Sequence, residues 1–478
     1  MAGAARSTLK GDALNTRDLL VAGMSYMAPG FSFFFTTALI VSAGGAQAPL
    51  AYLLAGIGVL AAGASFAEFS RHAPSAGSLQ VFVSRGFGPT AGSAAGLVLM
   101  GGYICLQAGV LALFGGWTSH LLQLWLSVQI PWPILSMLGL LVTTALMVRG
   151  VGLSIRATIG LFLIEFVLTG GLVLIVLARG GQSGLSATPI NPFQLSLGWH
   201  GIALAMVFCV FSFVGFEGSI SFAEETPHPR RAVPIAVIGG VIVMGLLYVV
   251  GTYSAIVGFG VNNASAIASD SAPVATLATR FAPWILPFLE FAVFTSITAN
   301  LMAAGNANAR ILFNLGREGI VTRRLAIIHS QFRTPIVAIV VFMGSTAVLC
   351  LAGAVRWDYL TTFGNIAGLG SVLAILIYMT ATAALPFYMR RQRAPLHWRR
   401  HLAIPIIGAG VWLVPVWGTL LPGQPFPANL YPWIALAVVI LATAYALLRR
   451  GRLEIASPAE VVVAGESATP VQLPTRPA

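Results

Sequence analysis

Glu217 stands inside an apolar run, in the segment Phe211-Ser212-Phe213-Val214-Gly215-Phe216-Glu217-Gly218. A charge at bilayer depth costs at least ~2.5 kcal/mol on insertion scales, so a carboxyl kept in such a run is a functional candidate. Its chemistry would be to load and release a proton as its surroundings alternate between dry and wet. The neighbouring glycines, three apart, loosen the helix there. Unwound carbonyls from Phe211 to Val214 could then accept hydrogen bonds from a solute ammonium, with Phe211 and Phe216 flanking the opening as gates or cation–π partners.

A second interrupted run reads Gly23-Met24-Ser25-Tyr26-Met27-Ala28-Pro29-Gly30-Phe31-Ser32. Pro29 removes a helix hydrogen bond and Gly30 tolerates almost any backbone angle, which opens a gap over 28–31. Beyond it a new half-helix would start with the N–H groups of Gly30, Phe31 and Ser32 at its positive end, suited to a carboxylate. An ordinary proline kink would have the same residues. Glu165 lies in a third apolar run. It is either a second proton site or a structural acid bonded to hydroxyl-bearing helices. Ser296 and Thr298 could offer hydroxyls to a sodium ion, or bond back to their own helix.

These residues need elements that can hold them in an apolar medium. Hydrophobic residues make up 57% of the 478 and charged residues 8%, against about 25% charged in a soluble domain. The bilayer is therefore the solvent. Twelve apolar runs of helix-spanning length follow one another: 19–41, 49–66, 94–126, 134–148, 157–177 and 201–222, then 233–259, 284–304, 335–351, 360–388, 402–421 and 430–448. The third is long enough to tilt steeply or overrun the bilayer. If the N-terminus is cytoplasmic, all but Arg179, Arg280 and Arg356 of the 26 basic residues fall on the cytoplasmic side, at helix ends or in loops. Arg71, Arg85, Arg149, Arg156, Arg310 and Arg317 are among them. That placement accounts for the net charge of +12 without a nucleic-acid partner.

Cys105, Cys209 and Cys350 all lie within apolar runs and form no disulfide framework or metal-ligand spacing. No cofactor and no metal site is expected. Residues 1–17 read as a polar, basic cytoplasmic tail rather than a cleaved signal peptide. Residues 451–478 read as a disordered cytoplasmic tail, with 454–478 switching to Ala, Pro, Ser, Thr and Val without periodicity. The connection 260–283 is the longest on the outer side and could fold over a vestibule. If five spans make one repeat, the first and the sixth are equivalent elements and both are broken in the expected place.

Three blocks then resemble the amino acid–polyamine–organocation transporter superfamily. The first is Ser212-Phe213-Val214-Gly215-Phe216-Glu217 followed by Ala223-Glu224-Glu225-Thr226-Pro227-His228-Pro229-Arg230-Arg231-Ala232-Val233-Pro234, similar to that family's sixth-span signature. The second is Ala67-Glu68-Phe69-Ser70-Arg71-His72-Ala73-Pro74-Ser75-Ala76-Gly77-Ser78 with Arg85-Gly86-Phe87-Gly88-Pro89, after span two. The third is Asn308-Ala309-Arg310-Ile311-Leu312-Phe313-Asn314-Leu315-Gly316-Arg317-Glu318-Gly319, after span eight, continuing to Phe332-Arg333-Thr334-Pro335. The blocks follow in family order, so the resemblance covers roughly residues 15–448.

The resemblance implies an all-α polytopic membrane protein with a leucine-transporter-type fold: a 5+5 inverted repeat plus two C-terminal helices. The repeats would be 18–178 and 199–389, with the extra helices at 402–449, together a transporter domain over 18–450. It implies a secondary active transporter, a permease of the cytoplasmic membrane working by alternating access with both termini inside. Carried over residue by residue, Ala28 to Phe31 would hold the substrate carboxylate and Phe211 to Gly215, Ser212 included, its amine, with Ser25 and Phe216 as further substrate-binding residues. Glu217 matches the family's span-six carboxylate, which in some members is linked to proton coupling. Two departures stand out. Pro29 and Phe31 occupy a break that in the family is usually a small-residue Gly-x-Gly sequence, and Glu165 stands in span five where some proton-coupled members carry a lysine.

The partners expected are a small amino acid or related amine, a proton or sodium ion, and the lipid bilayer. Proton symport through Glu217 is the leading reading, with exchange and a solute channel as alternatives. A membrane enzyme lacks support, since neither an HExxH nor a GxSxG context is present.

Overall fold

No water reaches the middle of a bilayer, so each apolar run has to satisfy its own backbone groups, and here each does so as a helix. The computed structural model describes residues 15–72, 79–149, 151–182, 184–270, 272–393, 395–422, 424 and 426–449. The side chains of 151–158, 221, 224 and 225 also lie outside the described set, as do the expected tails over 1–14 and 451–478 and part of the second matching block, 73–78.

Among the described residues there are helices and no strand. In chain order they are α1 (Thr16–Met27), α2 (Pro29–Gly44), α3 (Ala48–His72), α4 (Leu79–Phe87), α5 (Pro89–Leu126), α6 (Trp132–Arg149), α7 (Val151–Ala178) and α8 (Gly198–Phe213). Then come α9 (Pro229–Phe259), α10 (Ala264–Ser269), α11 (Pro273–Phe281), α12 (Leu286–Arg317), α13 (Ile336–Ala354), α14 (Tyr359–Arg391), α15 (Ile404–Leu420) and α16 (Tyr431–Leu448). Among the described residues, eleven helical stretches are long and apolar enough to cross a bilayer. The first, Thr16–His72, has 57 residues and would run about 86 Å as one helix, far beyond the ~30 Å hydrocarbon core. It is divided by the break at Ala28 and by a tight turn over Gly45–Gln47.

The polarity of the molecule is arranged for lipid. Leu141, Val167, Leu174, Leu246, Val348 and Leu441 are exposed on the outside, whereas Thr36, Gln107, Glu165, Glu217, Asn300 and Asn306 are buried inside. That is the reverse of a soluble protein and what a hydrocarbon solvent selects. The chain is a multi-pass membrane protein.

Two long helices bring distant residues to the centre. α5 and α14 approach through small residues: a methyl group added at Gly370 would lie 2.8 Å from the Gly102 carbonyl oxygen, and one at Gly109 would lie 3.2 Å from the Phe363 carbonyl oxygen. Such contacts let backbones close up where a larger side chain would hold them apart. The register they set delivers Tyr103 of α5 and Tyr378 of α14 to the middle of the bundle, both almost fully buried.

Three features differ from the reading of the runs. α12 continues beyond the expected span end at residue 304, so Arg310 is not a loop residue but a buried one. Its guanidinium donates to the Asn306 carbonyl at 2.7 Å and lies 4.7 Å from the Phe222 ring centroid. The connection after α3 contains α4, which buries Leu79, Phe82 and Val83. The connection after α9 is structured by α10 and α11, whose Ile267 and Leu277 are fully buried, and between them Asp270 accepts from the Ala272 N–H at 2.8 Å and the Thr276 hydroxyl at 2.6 Å.

Candidate functional site

The first break follows from its residues. Pro29 has no N–H to give and sits at the first position of α2, where none is needed. Ala28 takes the left-handed conformation, φ 44°, which a residue with a Cβ adopts at a cost of roughly 1–2 kcal/mol. α1 ends on the bond from the Ala28 N–H to the Met24 carbonyl at 3.0 Å. The N–H groups at the start of α2 all have partners within the chain. Gly30 donates to Glu165 Oε2 at 3.2 Å, Phe31 donates to Ser296 Oγ at 3.0 Å, and Ser32 donates to the Ala28 carbonyl at 3.1 Å.

The second break begins where α8 stops at Phe213. The chain turns over 214–217 and resumes as a 3-10 helix, Gly218–Glu225. Gly215 has φ 106°, and a Cβ there would fall 2.4 Å from the Tyr26 ring, so glycine is required on both counts. Glu217 is held by groups from three elements. Its Oε1 accepts from the hydroxyls of Tyr103 and Tyr378, the latter at 2.7 Å, and its Oε2 accepts from the Gly215 N–H at 3.2 Å. A carboxyl with three donors at this depth is well satisfied.

The two breaks face one another. The Tyr248 hydroxyl of α9 lies 2.8 Å from the Met27 carbonyl oxygen and 2.9 Å from that of Ser212. Tyr26 is held by α12 at both ends: Asn300 donates to its carbonyl, and its hydroxyl donates to Asn308 Oδ1 at 2.9 Å. Between the breaks lies a small cavity walled by Tyr26, Met27, Phe31, Ser32, Tyr103, Leu106, Gln107, Val110, Phe211, Val214 and Asn300. Its free space is about 20 Å³, room for a water molecule and little more. Phe31, Phe211 and Phe363 pack edge to face at its margin, with centroids 5.1–6.5 Å apart.

The residues singled out in the sequence therefore separate. Phe31 and Phe211 line the cavity, while Gly30 and Glu165 sit together behind the first break. Ser25 is buried with no partner for its hydroxyl. Ser212 turns toward Tyr52 at 2.8 Å and Thr36 at 3.2 Å, and Phe216 stacks on Phe66 with a centroid distance of 5.7 Å, so neither lines the cavity. Ser296 joins Glu165 at the first break, whereas the Thr298 hydroxyl bonds back to Phe294. Tyr103, Gln107, Tyr248, Asn300 and Tyr378 were missed. Their signal was available, because an uncharged polar side chain buried in an apolar run also costs free energy unless it finds a hydrogen-bond partner.

The comparisons with known proteins agree with this architecture. The amino acid permease family model matches residues 18–421, and the chain belongs to that family, within the amino acid–polyamine–organocation superfamily. It is 25% identical to the branched-chain amino acid permease BcaP of Bacillus subtilis over 76% of this chain and 79% of that one. It is 24% identical to the low-affinity putrescine importer PlaP of Escherichia coli K12 over 82% and 85%. It is 22% identical to the methylthioribose transporter of Bacillus subtilis over 89% and 92%. The all-helical, membrane-crossing fold is that of a transporter family.

Proposed function

We propose that the protein is a secondary active permease that carries an amino acid or related amine across the cytoplasmic membrane by alternating access, in symport with a proton. The observation that carries this reading is the placement of Glu217: a carboxyl in one of two facing helix breaks, with two of its three donors supplied by other helices. Rocking of the first and sixth spans against α5 and α14 would part Glu217 from Tyr103 and Tyr378 and expose it to water, where it can exchange its proton. Reclosure dries the site. Glu165 is the second candidate proton site. The relatives bearing amino acid and putrescine names support the solute class.

The domain reading is part of the proposal: repeats over 18–178 and 199–389, two further helices over 402–449, twelve crossings, and both termini in the cytoplasm. A cavity with room for about one water molecule supports a carrier over an open channel. The test is uptake into proteoliposomes under an imposed pH gradient. Glu217→Gln should abolish pH-driven accumulation while solute exchange persists in part. Unchanged pH-driven accumulation in that variant would refute coupling through Glu217, and flux rising linearly with concentration would refute the carrier.

A further inference from the structure

The place at the first break that would receive a solute carboxylate is filled from within the chain. Of the two N–H groups that open α2 without a helical partner, Gly30 donates to Glu165 Oε2 at 3.2 Å and Phe31 donates to Ser296 Oγ at 3.0 Å. Ser296 and Glu165 both stand against Gly30, so both donors are met from within the chain at one place. The fit is close: a methyl group at Gly30 would lie 2.8 Å from Glu165 Oε2 and 3.0 Å from Ser296 Cβ. Glu165 and Ser296 are fully buried, and Glu165 Oε1 already lacks a partner.

An entering carboxylate would have to take the first of these donors from Glu165 and the second from Ser296. The displaced carboxyl would then be left at bilayer depth with both oxygens unsatisfied, a penalty corresponding to ~10–100-fold in affinity. An amine without a carboxyl needs neither donor. The cavity beside the break suits it, because it is lined by Tyr26, Phe31, Tyr103 and Phe211 and by neither lysine nor arginine.

We propose that Glu165 is a specificity determinant: its carboxyl permanently occupies the carboxylate seat of the first break, and the permease takes carboxylate-free organic amines in preference to the corresponding amino acids. The inference rests on the permease reading above. It turns a departure from the family pattern into a statement about cargo, since a carboxyl in span five supplies internally what an amino acid would otherwise bring.

The test uses the full-length protein in detergent and in proteoliposomes, with matched pairs differing only by the carboxyl: phenethylamine and phenylalanine, isoamylamine and leucine, putrescine and ornithine. Thermal stabilisation and counterflow uptake should both favour the amine by ~10-fold or more. In Glu165→Ala the ratio of amino-acid to amine affinity should rise by about the same factor, because the seat is vacated. A merely structural role would weaken both members equally. Should that variant fail to fold, Glu165→Ser is the replacement, and the wild-type pairs decide independently of either. Preference of the wild type for the amino acid overturns this inference and leaves the permease reading standing. Binding and uptake of neither member of any pair by folded protein overturns both.

Discussion

Tyr378 donates its hydroxyl to Glu217 Oε1 at 2.7 Å, tying α14 to the break that follows α8. The two residues are 161 positions apart, and Tyr103, which shares the same oxygen, is 114 positions from Glu217. The carboxyl is thus a junction between elements that alternating access would move.

Removing either hydroxyl takes one donor from a buried carboxyl. Tyr378→Phe should cost about 1–3 kcal/mol of stability. In a Glu217→Gln background the same change should cost measurably less, because part of its effect is the contact itself. Unfolding of the four proteins of this cycle in detergent measures the coupling; strict additivity would show that the bond contributes nothing.

Gly215 and Gly101 form a matched pair of tests. Gly215→Ala places a Cβ against the Tyr26 ring in a backbone conformation that alanine disfavours, and should abolish transport and lower the melting temperature. Gly101 lies within α5 with nothing inside 4 Å of an added Cβ, so Gly101→Ala should be neutral or stabilising by up to about 1 kcal/mol. Uptake assays with melting curves separate the two outcomes.

Asp358 precedes α14 and accepts from the N–H groups of Leu360 at 2.9 Å and Thr361 at 3.1 Å, and from the Thr361 hydroxyl at 2.6 Å. Burial alone would push its pKa up, but these hydrogen bonds outweigh it and hold the carboxyl below its usual range. A depressed carboxyl stabilises the fold above its unfolded value and loses that contribution as pH falls through the folded one. Asp358→Ala should cost about 0.5–2 kcal/mol at neutral pH, and the gap to wild type should close on acidification below about pH 4. A gap independent of pH would remove the capping carboxylate as its cause.

Glu318, just past the end of α12, has the opposite sign. Burial pushes its carboxyl above the usual range, although Asn314, Arg317 and Gln80 partly restrain it. Its stabilising contribution is therefore complete below about pH 4.3 and is lost as pH rises through the raised folded value. Between about pH 4 and pH 8, the stability of Glu318→Gln relative to wild type should move in favour of the variant as pH rises. Melting curves across that range are the check, and a trend in the other direction would contradict the burial argument.

How much of this was legible follows from how local each determinant is. The spans could be read because a bilayer forces helices on any long apolar run. The first break could be read because Pro29 and Gly30 are adjacent, and the second because Gly215 and Gly218 frame Glu217. What fills the first break could not be read. The Gly30 to Glu165 bond joins residues 135 apart and the Phe31 to Ser296 bond joins residues 265 apart, and both depend on how α7 and α12 dock against α2. That Tyr103 and Tyr378 meet at Glu217 was hidden for the same reason, since their register is set by close approach at Gly102 and Gly370, where a helix periodicity carries no sign of its partner. The extent of α12 was misjudged because Arg310 looks like a span end, whereas the bundle supplies it with a carbonyl and an aromatic face.

Tyr248 has one hydrogen and two acceptors within reach, the carbonyl oxygens of Met27 and Ser212. Met27 has another donor in the Ser32 hydroxyl at 3.0 Å. Whenever Tyr248 turns to Met27, the Ser212 oxygen is the one left wanting, deep in the molecule and on the broken end of α8. When it turns to Ser212 instead, the Ser32 hydroxyl still serves Met27 and both carbonyls are met, so a single hydroxyl of α9 fastens the two interrupted helices to one another.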